Sequence, residues 1–227
     1  MVYSILKRES LSIKQFTFTV VVFLRKLILA DSIARDVGEL PGVVMHVKRG
    51  GYLEHFTADI VSGSITVTGM DAILIHVGTN NICRDFDPQA VLCEMGNLLK
   101  VIRRLNNKVH LVVSGILPRL VDLHETENIV KHYNKLLVNV CRDTNTMLIR
   151  SFNSFVSGNE PTGVKTWLYA RDGLHLSVRG SQVLTQMFRV QFADRNIAQR
   201  RVVLDAERDQ RSVRDFNFGF TNRISDD

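Results

Sequence analysis

The sequence is short of several things, and each shortage removes a class of protein. Cysteine is scarce: Cys83, Cys93 and Cys141 form no C-x-x-C pair and leave one thiol over in any disulfide scheme. That argues against a stapled secreted scaffold and for a reducing, cytoplasmic setting. With 4 prolines in 227 residues, the chain is not a proline-rich linker either. Its longest apolar run, Phe16–Leu24 (FTFTVVVFL), is closed by Arg25-Lys26 and falls well short of the ~20 residues a spanning helix needs, so no transmembrane segment is expected. Lys7 and Arg8 precede that run as they would in a signal peptide, but no small-x-small cleavage site follows before Ala30. The seven histidines form no H-E-x-x-H and the cysteines no ligand pair, which disfavours a zinc hydrolase. A G-x-S-x-G elbow is also missing, which disfavours an α/β-hydrolase.

What is present suits a globular domain. Hydrophobic residues make up 45% of the chain and charged ones 23%, enough apolar material for a full core without staples. Residues 1–24 read as a weakly structured leader, 25–193 as the domain and 194–227 as a charged tail. The tail carries seven Arg against seven acidic residues, then Phe216, Phe218 and Phe220 at alternate positions. Its charge sums to zero, so the formal net charge of +6 belongs to the first 193 residues. A basic domain permits an anionic partner, although solvated arginine-rich faces give the same arithmetic.

From Leu27 onward, short apolar runs alternate with longer helical patterns, the rhythm of a parallel, doubly wound sheet. Strands are expected at Leu27–Leu29, Val43–Val47, Ala72–Val77, Val109–Val113 and Thr146–Ile149. One helix should begin at Asp87-Pro88, a cap followed by proline at the first helical position, with Val91, Leu92, Met95, Leu98, Leu99, Ile102 and Leu105 on one face. A second should start near Thr126 as its cap, and a third near Ser177.

Ligands of such sheets bind at the carboxyl ends of the strands, and there the polar residues gather. Asp31-Ser32 follows the first strand, Gly50-Gly51 the second, Gly78-Thr79-Asn80-Asn81 the third, and Asp172-Gly173-Leu174-His175 the loop beyond the fifth. Singly, each reads as a helix cap or a turn. Together they supply an acyl-transfer site. Ser32 would be the nucleophile, His175 its base and later the acid, and Asp172 the group that orients the imidazole. The N–H groups of Ser32 and Gly51 and the amide of Asn80 would bind the oxyanion.

These residues resemble the sequence blocks of the SGNH (GDSL-type) hydrolases. Block one is Leu29-Ala30-Asp31-Ser32, block two Gly51 with Gly50 almost as good a candidate, block three Gly78-Thr79-Asn80-Asn81, and block five Asp172-Gly173-Leu174-His175-Leu176, the likeness spanning about residues 27–192. It implies a three-layer α/β/α flavodoxin-like fold with a five-stranded parallel sheet, Asp31, Gly78 and Asn81 in supporting positions, and hydrolysis of small acyl or lipid esters without a cofactor. His76–Asn80 and Leu168–Gly180 look most like the esterase domains of LINE-type retrotransposon proteins and their animal relatives. Two positions depart from the pattern: Ala30 replaces the usual glycine before Asp-Ser, and Asn81 the usual aspartate after the block-three asparagine.

The competing reading is an inactive module of the same fold that binds RNA or another anionic partner. Lys48, Arg49, Arg103, Arg104, Lys108, Arg119, Arg171 and Arg179 are its candidate phosphate contacts. No aromatic-basic interleaving accompanies them. A pure binding module has no need of Ser32, Asp172 and His175 together, and on that ground the esterase is favoured.

Overall fold

In the computed structural model of the protein, residues 24–193 are described; residues 1–23 of the expected leader and the expected tail lie outside them. Five strands, β1 (Lys26–Asp31), β2 (Val43–Lys48), β3 (Ala72–His76), β4 (His110–Ser114) and β5 (Met147–Ile149), form one sheet in the order β2-β1-β3-β4-β5. Every pairing is parallel. Helices α1 (Leu53–Val61), α2 (Thr79–Asp85), α3 (Pro88–Leu105), α4 (Leu123–Asp143) and α5 (Val178–Phe188) complete the domain. The chain order reverses between β1 and β3, and this is where a doubly wound sheet opens a crevice.

The sequence dictates this layering through strand alternation. Leu27 and Leu29 of β1, Ile73 and Ile75 of β3, and Leu111 and Val113 of β4 enter one core with the apolar faces of α1, α3 and α4. Their neighbours Ile28, Ala30, Leu74 and Val112 enter the other, under Leu184 and Phe188 of α5. Burial on both faces is why these strands read as unbroken apolar runs. At the edge of the sheet β2 is half wetted, with Val44 and Val47 exposed.

The expected strands are all found, with ends shifted by one or two residues. Ser177 caps α5 through a bond from the Gly180 N–H (3.2 Å), and Asp87 caps α3 by accepting from the Gln89 N–H (2.8 Å). Two readings need correction. Helix α4 starts at Leu123, after Asp122, so Thr126 is no cap. It is a buried residue of the first turn whose hydroxyl donates to the Asp122 carbonyl (2.9 Å) and carboxylate (3.0 Å). Thr79-Asn80-Asn81, expected as a loop, opens α2. Among the described residues, no helix is long and apolar enough to cross a membrane.

Candidate active site

Ser32 leaves β1 at its carboxyl end, where Asp31 caps a single 3-10 turn by accepting from the Ile33 N–H at 3.0 Å. Asp172 and His175 come from the other side of the crevice, on a tight hairpin in which Tyr169 pairs with Leu176. At its tip Gly173 has φ +67, and a Cβ there would stand 2.9 Å from the Val121 nitrogen, so both conformation and space require glycine. The Gly173 carbonyl accepts from the N–H groups of Leu120 (2.8 Å) and Val121 (3.1 Å), and the Tyr169 hydroxyl donates to the Pro118 carbonyl at 2.8 Å. The β4–α4 loop thus grips the hairpin.

Within the hairpin, Asp172 Oδ1 accepts from the N–H groups of Leu174 and His175, both at 2.9 Å, and Oδ2 lies 2.7 Å from His175 Nδ1. The bond from His175, supported by those two amides, lowers the Asp172 carboxyl to about 2. An ionised carboxylate only accepts, so Nδ1 carries the proton and Nε2 presents its lone pair. Nε2 lies 3.3 Å from Ser32 Oγ. Three residues from two distant parts of the chain therefore form one run of hydrogen bonds, carboxylate to imidazole to hydroxyl.

The other expected residues line the same crevice. Asn80 Nδ2 donates to the Gly51 carbonyl at 2.9 Å, which leaves its second N–H for another acceptor. Gly51 differs from expectation: its N–H donates to the Lys48 carbonyl at 3.1 Å, closing a turn over Gly50, and is committed there. Gly78 adopts φ +131 as β3 turns into α2. Asn81 is buried and binds three groups: its Oδ1 accepts from the Leu53 N–H (3.1 Å), and its Nδ2 donates to Glu54 (3.1 Å) and Glu94. An aspartate at this position would oppose two glutamates; the amide donates to both, which accounts for the departure from the family pattern. Ala30 fits between Val47 of β2 and His76 of β3.

Asp31 is fully buried and its Oδ2 lacks a hydrogen-bond partner. Burial raises this carboxyl to about 6, against the opposing pull of the Ile33, Thr79 and Gly78 amides and of Arg119. Beneath the crevice lies a second polar chain that the sequence reading overlooked. His76 Nδ1 is 2.9 Å from Ser114 Oγ, which is 2.5 Å from Ser151 Oγ, and all three residues are buried. His76 Nε2 has no partner, and burial lowers this imidazole to about 4.

Several of the proposed phosphate contacts are engaged elsewhere. Lys48 pairs with Asp59 (2.6 Å), and Arg103 donates to the carbonyls of Val109 and Asn145. Arg119, only 5% exposed, grips Asp122 (2.6–3.1 Å) and reaches the Thr79 carbonyl (3.4 Å). Arg104 and Lys108 are exposed, but they lie where α3 returns to the start of β4, at the opposite end of the strands from Ser32. Arg49, Arg171 and Arg179 are exposed at the carboxyl end of the sheet, after β2, beside Asp172 and in the first turn of α5, so the eight expected contacts do not share one face, and three of them stay on the side of the site.

The model of the GDSL-like lipase/acylhydrolase family matches residues 42–183. The chain belongs to this family. The match begins after Ser32, so the place of block one in this member rests on geometry. Solved structures of the same fold include a Streptococcus pneumonia protein described as a platelet activating factor, with TM-score 0.62 and 20% identity over 75% of this chain and 85% of that one. A lipase/acylhydrolase from Enterococcus faecalis has TM-score 0.56 and 18% identity over 76% and 97% of the two chains. An acetyl-xylooligosaccharide esterase from Geobacillus stearmophilus, solved as an arginine-to-alanine variant, has TM-score 0.55 and 15% identity over 75% and 94%. Among curated proteins, no sequence match is found.

Proposed function

We propose that this family member is a serine esterase that cleaves carboxylic esters through an acyl-enzyme on Ser32. The observation that carries the reading is the hydrogen-bonded run from Asp172 through His175 to Ser32, at 2.7 and 3.3 Å, at the crevice of the sheet. His175 Nε2 takes the hydroxyl proton as Ser32 Oγ attacks the carbonyl carbon. The oxyanion is met by the Ser32 N–H and the free N–H of Asn80, with the Gly51 carbonyl holding that amide in place. As the tetrahedral adduct collapses, its bond to the alcohol oxygen breaks and His175 gives that oxygen the proton. Water then attacks the acyl-Ser32, its proton passes to His175, and the acid leaves as the Ser32 hydroxyl is restored. Asp172 stays ionised throughout and holds the imidazole.

Small acyl or lipid esters are the substrates in this reading. A likeness to the esterase domains of LINE-type retrotransposon proteins belongs to the same proposal, carried by His76–Asn80 and Leu168–Gly180. So does a reducing, cytoplasmic setting, which the three free cysteines suit.

The test is turnover of p-nitrophenyl acetate by the full chain, with Ser32→Ala as comparison. The variant should lose on the order of 10³-fold or more, and a fluorophosphonate probe should label the wild type at Ser32 and leave the variant unlabelled. Equal turnover in the two proteins overturns the proposal.

A further inference from the structure

At the edge of the sheet farthest from β2, a pocket of about 310 Å³ opens between α4 and the chain that leaves β5. Lys131, Asn134, Lys135 and Val138 line it from α4, at the i, i+3, i+4, i+7 spacing that puts side chains on one helix face. Leu148, Arg150 and Phe152 supply the facing wall. Between the two walls lies Gly115, where a Cβ would stand 2.8 Å from Asn134 Oδ1. With no side chain there, the Asn134 amide reaches the Ile116 backbone, accepting from its N–H at 2.9 Å and donating to its carbonyl at 2.8 Å. The pocket is therefore a built feature of the fold. Strand β5 lies three places from β1, about 14 Å at the usual spacing, and none of Ser32, Asp172 and His175 lines the pocket.

Charge and apolar surface are separated in the lining. Lys131, Lys135 and Arg150 border the pocket and no carboxylate does. Lys131 shares its charge with Glu127 at 2.5 Å, whereas Lys135 and Arg150 are exposed and have no salt bridge among the described residues. Two uncompensated positive charges match a phosphate monoester, which carries about −1.5 to −2 at neutral pH, and the arginine fork suits its oxygens. The half-buried Val138, Leu148 and Phe152 make the rest of the lining mainly apolar, with an aromatic ring for a flat body to lie against. Asn134 keeps one amide N–H beyond its bonds to Ile116, and the exposed Asn153 adds a second amide, the group that reads the edge of a nitrogen heterocycle. A volume at the low end of small-molecule sites, about 300–1,000 Å³, suits one such molecule rather than a polymer or a long acyl chain.

We propose that this pocket binds a phosphate monoester carried on a flat aromatic body, of the nucleoside monophosphate type, with the phosphate between Lys135 and Arg150 and the body against Leu148 and Phe152. The site stands apart from Ser32, so it does not rest on the esterase reading.

The experiment is isothermal titration calorimetry of the full chain with adenosine monophosphate, adenosine, inorganic phosphate and octyl phosphate. Adenosine monophosphate should bind, and adenosine, which lacks the charge, and phosphate, which lacks the body, should each bind about tenfold or more weakly. Octyl phosphate, the same headgroup on a hydrocarbon chain, should also be weaker. The double variant Lys135→Gln/Arg150→Gln, altered at exposed positions, should weaken adenosine monophosphate about tenfold or more. Val138→Phe, which fills the cavity and leaves every charge in place, should weaken it by a similar factor. Far-UV circular dichroism identifies folded variants, and either variant alone tests the pocket. No binding of adenosine monophosphate, inorganic phosphate or octyl phosphate bound as tightly as adenosine monophosphate, or an affinity unchanged in a folded variant each overturns the proposal.

Discussion

Two serine–histidine pairs stand at the carboxyl edge of the same sheet, and the closer one is the less suited to chemistry. Ser114 and His76 are 2.9 Å apart, against 3.3 Å for Ser32 and His175. Yet His76 is sealed beneath Phe188, whose ring meets it edge to face at 5.5 Å, and its partner hydroxyl leads only to another serine. With no carboxylate to stabilise an imidazolium, burial leaves it neutral. His175 is partly open and has Asp172 behind it. The difference teaches that proximity of hydroxyl and imidazole does not make a site; access and the third group do.

Removing the third group gives the largest effect. Asp172→Asn should lower kcat for an activated ester on the order of 10³-fold, because the amide presents a donor where an acceptor fixes the tautomer. Ser114→Ala, the matching lesion in the buried pair, should leave kcat within about twofold and cost about 1–3 kcal/mol of stability by orphaning His76 Nδ1. Steady-state kinetics and urea unfolding on the two variants separate these outcomes. If Ser114→Ala reduces turnover as far as Asp172→Asn does, the division between a working pair and a structural pair is wrong.

A second effect distinguishes the buried groups by pH. The His76 imidazole is lowered from 6.5 to about 4, so its contribution is complete above pH 6.5 and is lost as pH falls toward 4. Asp31 runs the other way: raised from 3.8 to about 6, it contributes fully below pH 3.8 and loses this as pH rises through about 6. Each difference is worth about 3 kcal/mol, with opposite slopes between pH 4 and 6, so the wild-type profile conceals both. Relative to wild type, Asp31→Asn should gain about 3 kcal/mol from pH 4 to 6.5, and His76→Gln should lose a similar amount. Denaturation midpoints that keep a constant offset from wild type across this range would show that neither group titrates as its burial requires.

This contrast also explains what could be read from the residues beforehand. Strands β1, β3 and β4 were legible because burial on both faces demands unbroken runs such as Ala72–Ile75, and α3 because Asp87-Pro88 marks its start. Ser32 stood out because a polar pair ends the apolar run of β1; Asp172 and His175, on a hairpin well beyond β5, stood out through their likeness to block five. Helix α2 was not: it has seven residues with Ile82 as its main apolar anchor, too short for a 3.6-residue rhythm, and asparagine-mediated bonds to Leu53, Glu54 and Glu94 hold it. The turn that returns the Gly51 N–H to the Lys48 carbonyl is local, but no residue type there marks that the amide is taken, and the burial of Arg119 depends on its reach to Thr79, on a loop far away in sequence. Composition has no access to those.

Arg119 supplies the smallest and most specific test, because it touches neither His175 nor Ser32. Its guanidinium joins Asp122 at the head of α4 to the Thr79 carbonyl at the head of α2. The loop it anchors delivers the Leu120 and Val121 amides to Gly173, the residue after Asp172. A lysine keeps the charge but loses the planar fork that holds Asp122 through Nε and Nη2 together. Arg119→Lys should therefore let the hairpin drift by a fraction of an ångström, lowering kcat about tenfold with KM nearly unchanged. Fluorophosphonate labelling of Ser32 should slow in parallel, since it needs the same imidazole placement. A change confined to KM, or to thermal stability with kcat preserved, would make Arg119 a scaffold residue only and leave the hairpin positioned by its own Asp172 and Gly173 bonds.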